Sequence, residues 1–137
     1  MKENKNLFGR LAVLLFPIAV FILELLPTGA VCIFAPNPTD RVRETFSYFD
    51  LTPFGYANFG PFITAVLTCL LIAAVCVFIV KGNAKAEKCA IIISLAASIA
   101  SLTPLVFGVN YYSLTGAGIT ICLAVEFALL KYFPQNK

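Results

Sequence analysis

Apolar residues along this chain do not alternate with polar ones. They gather into four runs, roughly 11–34, 61–80, 89–106 and 111–133, separated by short polar or charged segments. A hydrocarbon core about 30 Å thick is crossed by roughly 20 helical residues, and each run is about that long. The pattern predicts an all-α integral membrane protein. The expected architecture is a compact four-transmembrane-helix bundle forming one domain over residues 1–137. An outward loop at 35–60 joins the first two spans, and a cytoplasmic loop at 81–88 joins the second and third.

Charge gives the bundle a direction. The chain holds 10 Lys and Arg residues and 7 Asp and Glu residues, a net charge of +3. Lys2, Lys5 and Arg10 precede span 1, Lys81, Lys85 and Lys88 surround the second connection, and Lys131 and Lys137 follow or end span 4. Arg41 and Arg43 are the two in the first loop, beside Asp40, Glu44 and Asp50. Lys and Arg translocate poorly, so the distribution places both termini and residues 81–88 in the cytoplasm and the aromatic-rich 35–60 loop outside. A bacterial cytoplasmic membrane suits a multi-pass chain of this size. Span 1 is longer than the apolar region of a signal peptide and is read as retained.

Composition narrows the chemistry. At 60% hydrophobic and 12% charged, the chain leaves little polypeptide outside its spans. The positive charge is a topology signal, and no nucleic-acid partner is expected. Five cysteines (Cys32, Cys69, Cys76, Cys89 and Cys122) lie within or at the edges of spans without C-x-x-C spacing, and there is no histidine. No metal or cofactor is expected from that set. No nucleophile–base set or phosphate-binding glycine loop is present either, so the chain is read as non-enzymatic.

Helices in lipid associate through small residues and polar contacts. Span 3 carries Ala90, Ser94, Ala97, Ser98 and Ser101 at helical spacing, span 2 carries Ala65, Cys69, Ala73 and Cys76, and span 4 carries Thr115, Gly118 and Cys122. These stripes are the expected packing faces. Pro17 and Pro27 are expected to kink span 1.

The outward loop is crowded with Phe46, Tyr48, Phe49, Phe54, Tyr56 and Phe59. Asp40 is placed to cap a short helix with Val42, Phe46 and Phe49 on one face. Thr52-Pro53-Phe54-Gly55 reads as a turn. The aromatics form either an interfacial lid over the bundle or a docking surface for a membrane-protein partner.

Two acids lie inside spans, where ionisable residues are costly and mark functional sites by default. Glu24 sits roughly 21 Å from the Arg10 edge by helical rise, at a level shared with Thr68, Ser101 and Thr120, and Thr28 follows one turn on. No cation stands at that depth, so a neutral acid bonded to a hydroxyl, a proton or cation site, and a pair with a partner subunit's basic residue are the three readings of Glu24. Glu126 lies nearer the cytoplasmic edge, where Lys81 or Lys88 would complete a structural ion pair.

The span count and the glutamate in span 1 resemble the small multidrug resistance exporters. The resemblance stops there, because this chain has a long aromatic loop, no tryptophan and a one-sided charge distribution. Two functions follow from the residues themselves. The first is a non-catalytic accessory or structural subunit of a membrane complex, with the lipid bilayer and a membrane-protein partner or second copy as its contacts. The second is a small proton- or cation-coupled transporter or channel using Glu24.

Overall fold

The computed structural model describes residues 2–51 and 56–132, with side chains described for 8–51 and 58–132. Four helices are long and apolar enough to cross a membrane. They are α1 (Lys2–Leu25), α2 (Tyr56–Lys81), α3 (Ala84–Ser101) and α4 (Leu114–Tyr132). Each packs on two neighbours in the cyclic order α1–α2–α3–α4–α1, and α2 with α3 is the most extensive pair. The core runs down the middle, through Val13, Val20, Leu71, Val75, Ala90, Ala97, Leu123 and Leu130.

The first departure from expectation is at the end of α1. The apolar run continues to Phe34, but the helix stops at Leu25. Pro27 has no N–H to extend the helical ladder. Leu26 N–H instead turns back to the Leu23 carbonyl at 3.2 Å. Beyond Gly29 the chain is extended: β1 (Ala30–Phe34) pairs antiparallel with β2 (Val42–Phe46), so the fold is not all-α. A short apolar run rich in β-branched residues fits a buried strand as well as a helix, and hydropathy alone does not separate them.

The hairpin also replaces the short helix expected after Asp40. Val42–Phe46 is a strand, exposed over most of its length, while β1 is buried against α2 and the segment before α4. The Asp40 backbone N–H bonds to the Asn37 carbonyl at 3.3 Å in the hairpin connection. Thr52-Pro53-Phe54-Gly55 lies outside the described residues.

The opposite end of the bundle is tighter than expected. The 81–88 connection reduces to Gly82 and Asn83, because α2 runs to Lys81 and α3 begins at Ala84. Gly82 adopts φ 59°, a left-handed conformation that glycine reaches without a Cβ penalty, and its N–H bonds to the Phe78 carbonyl at 2.8 Å. Asn83 then caps α3, its Oδ1 accepting from the Ala86 N–H at 2.8 Å.

At the hairpin end, α3 gives way to single-turn 3₁₀ segments at Thr103–Phe107 and Val109–Tyr111. Gly108 between them has φ 126°, again a glycine conformation. Here α2 comes very close: a Cβ on Gly60 would stand 1.8 Å from Thr103 Oγ1.

The small-residue stripes are reproduced unevenly. Ala90, Ser94, Ala97 and Ser101 do form the buried face of α3. On α2 the buried face is Thr64, Ala65, Thr68, Leu71, Val75 and Phe78, while Cys69, Ala73 and Cys76 are exposed. On α4, Thr115, Gly118 and Cys122 are half-buried beside the buried face made by Gly116, Ile119, Leu123, Glu126 and Leu130.

Candidate functional site: carboxyls inside the bundle

The buried stripe of α1 is Val13, Pro17, Val20 and Glu24, at intervals of three and four residues, so Glu24 faces the interior. Its relative exposure is 0%. Oε1 lies 2.8 Å from Thr68 Oγ1 on α2, and Oε2 has no hydrogen-bond partner among the described residues.

Counting protons defines this contact further. Thr68 Oγ1 is also 3.0 Å from the Thr64 carbonyl, and a hydroxyl has one proton to give. If that proton goes to the carbonyl, the contact with Glu24 needs a proton from the carboxylic acid. If the carboxyl is ionised, the Thr68 hydroxyl turns to it and leaves the carbonyl. Thr68 is thus a rotor that can satisfy either protonation state of Glu24 without moving a helix. Thr64 repeats the pattern one turn along, donating to the Gly60 carbonyl at 2.9 Å.

The expected hydroxyl layer around Glu24 separates into three pieces. Thr68 is bonded to Glu24. Ser101 and Thr120 form another group, with Tyr112 OH 2.6 Å from Thr120 Oγ1 and Thr120 Oγ1 2.9 Å from Ser101 Oγ. Ser101 passes its own proton to the Ser98 carbonyl at 2.7 Å. Read from Tyr112 through Thr120 and Ser101 to that carbonyl, every hydroxyl donates once, and the chain is closed. Thr28 is the third piece. It lies past the end of α1 rather than on its Glu24 face, and its hydroxyl is 2.9 Å from that of Thr115 at an exposed position.

Glu126 departs most from expectation. It is fully buried on α4, and neither carboxyl oxygen has a hydrogen-bond partner among the described residues. Lys81 and Lys88 are exposed and do not pair with it, so the expected structural ion pair is not formed. The two lysines flank the short α2–α3 turn at the end of the bundle toward which Glu126 lies, but both are exposed, whereas Glu126 is on the buried face of α4. Lys131, on the same helix, lies over the Phe127 and Tyr132 rings at 5.4 and 5.6 Å.

Over Glu24 sits a residue whose importance was not evident from the sequence. Tyr48 is 1% exposed, and its N–H donates to the Glu24 carbonyl at 2.9 Å. Its ring packs against the Gly29 turn, where a Cβ would come within 2.8 Å of it, and its hydroxyl reaches the backbone of α4 at Gly116. Burial, then the neighbouring Tyr112 and Glu24, push the Tyr48 phenol up, so it stays protonated. Ser113 ties the same turn to α4, donating to the Gly29 carbonyl at 2.5 Å and accepting from Gly116 N–H at 2.8 Å.

The remaining loop aromatics are dispersed. Phe49 meets Phe21 of α1 edge-on at 5.6 Å, Phe46 is half-buried, and Phe59 is 50% exposed on α2. Phe54 and the Tyr56 side chain lie outside the described residues. Cys32, on β1, donates its thiol hydrogen to Asn58 Oδ1 at 2.8 Å, and burial pushes that thiol up. No group of three metal-ligating side chains forms among the described residues.

Neither family models, nor curated proteins, nor solved structures match this chain.

Proposed function

We propose that this chain is a small proton- or cation-coupled membrane transporter or channel, with Glu24 and Glu126 as protonatable groups at two levels of the bundle core. The observation that carries the reading is Glu126, a carboxyl with both oxygens buried and without a partner among the described residues, together with Oε2 of Glu24, which likewise finds no partner among them. A buried polar group without a partner costs about 1–3 kcal/mol, and a structural role would favour satisfying it. The Thr68 rotor supplies what a proton site needs, a hydrogen-bonding arrangement for each protonation state.

Infrared titration of the purified protein in lipid tests this. The carbonyl band of protonated carboxylic acid should lose intensity as pH rises, and Glu24→Gln should remove part of that change while the fold survives. The amide preserves a hydrogen bond to Thr68. Acid-driven flux of protons, Na⁺ or K⁺ into vesicles should fall with the same substitution. A carboxylic-acid band that stays constant over the whole pH range the fold tolerates would sink the proposal.

A second reading, a non-catalytic subunit of a membrane complex, is favoured by an open apolar groove of about 420 Å³ at the hairpin end, lined by Phe59, Gly60, Ile63, Thr103, Val106 and Phe107. A second membrane protein recovered in stoichiometric amount by native mass spectrometry would support it. In both readings the chain resides in the cell membrane with its termini and the Gly82-Asn83 turn inside, as the basic residues favour. In a background without the natural cysteines, Asn37→Cys should react with an impermeant thiol reagent on intact cells. Lys85→Cys should react after permeabilisation alone, and the reverse result would invert the orientation.

A further inference from the structure

The hairpin sorts its charges by face. Residues directly opposite in an antiparallel pair project to the same side, and successive residues alternate. Arg43 is opposite Ile33 and Glu44 opposite Cys32, so the two charges leave the hairpin on different faces. Glu44 shares the face of Cys32, whose thiol meets Asn58 of α2 at 2.8 Å. Asp40 is engaged elsewhere, accepting from Asn37 Nδ2 at 3.4 Å. Asp40 and Glu44, their neighbours in sequence, form no ion pair with Arg41 or Arg43.

Both arginines line one open pocket of about 370 Å³, together with Ile33, Val109, Asn110 and Tyr112. Neither has an ion-pair partner among the described residues. The far wall is held in place. Tyr112 is anchored to Thr120 at 2.6 Å, and residues 109–111 form a 3₁₀ turn that packs on β1. Guanidinium is weakly hydrated, and its paired donors match the oxygens of phosphate.

We propose that this pocket binds a phosphate-bearing ligand. The phosphate sits between Arg41 and Arg43, the Asn110 amide supplies a further donor, and Ile33 and Val109 meet the carbon beside the phosphate. A phospholipid headgroup and a free phosphate share this chemistry. The lipid source rests on the membrane reading above, whereas the free source does not, and neither depends on Glu24 or Glu126.

The test uses the full chain in nanodiscs. In one arm, native mass spectrometry compares retained phosphatidylglycerol with phosphatidylcholine. In the other, calorimetry measures inorganic phosphate binding in phosphatidylcholine alone. Each guanidinium is expected to contribute roughly tenfold in affinity, the scale of one charge-assisted hydrogen bond, and Arg43→Lys should recover little of it. Lys85→Gln with Lys88→Gln removes the same charge from the opposite end and should change nothing, and Glu44→Gln should be neutral as well. Arginine-dependent retention of phosphatidylglycerol without phosphate binding identifies a lipid headgroup, and arginine-dependent phosphate binding identifies a soluble ligand. The proposal is overturned if neither ligand depends on the arginines, or if the Lys85→Gln, Lys88→Gln double variant loses binding equally.

Discussion

Replacing Gly60 with valine is expected to destabilise the bundle by about 1–3 kcal/mol, toward the upper end of that range, with alanine already costly. Two effects compete. Glycine in a helix interior is less favourable than alanine by about 1 kcal/mol, so propensity alone predicts a gain. Against it, a Cβ would stand 1.8 Å from Thr103 Oγ1 and 2.9 Å from Thr103 Cβ. Thr103 is poorly placed to yield, since its hydroxyl donates to the Ala100 carbonyl at 2.6 Å and Pro104 follows it in a buried position. The steric term therefore wins. Thermal unfolding in detergent measures it, and Thr103→Ala should rescue Gly60→Ala in part, by removing the closer of the two contacts. An alanine variant that melts like the parent would show that α2 and the Thr103 turn do not meet so closely.

That contact illustrates what could and could not be read from the chain. Four helices followed from the length and apolarity of the runs, because only about 20 residues per crossing are needed and little else satisfies that count. The buried face of α3 followed too, since Ala90, Ser94, Ala97 and Ser101 carry their own spacing. The hairpin did not follow. Residues 30–34 are apolar in either conformation, and what selects the strand is its pairing with 42–46, a contact between segments that hydropathy does not see. The face of α2 was misjudged for a related reason. Cysteine and alanine are small enough to pack but also apolar enough to face outward, and Cys69, Ala73 and Cys76 are exposed, whereas the hydroxyls of Thr64 and Thr68 need the interior.

The site shows the same division. Depth along a helix placed Glu24 and Thr68 at one level, and the structure places them within 2.8 Å. Depth did not decide azimuth, so Ser101 and Thr120 bond to each other and to Tyr112 instead. Tyr48 was visible as one loop aromatic among several. Its role over Glu24 depends on Gly29 and Gly116 leaving room for its ring and hydroxyl, a three-way fit between distant segments.

Replacing Glu126 with leucine is expected to raise stability by about 1–3 kcal/mol, the cost of the unsatisfied acid that it removes. The substitution keeps an apolar side chain of similar length at a position whose neighbours on the helix face are Leu123 and Leu130. Proton or cation flux should be lost in the same variant. The pairing of these outcomes is what distinguishes the readings. A glutamate held in place by an ion pair or hydrogen bond would leave a partner unsatisfied when removed, and stability would fall by several kcal/mol. A glutamate retained for proton binding makes the fold less stable than an apolar side chain would, as buried acids in membrane helices generally do. Chemical or thermal unfolding of Glu126→Leu, read beside vesicle flux, decides between them. Greater stability with lost flux supports the proton site, and lower stability with flux intact would return Glu126 to a structural role.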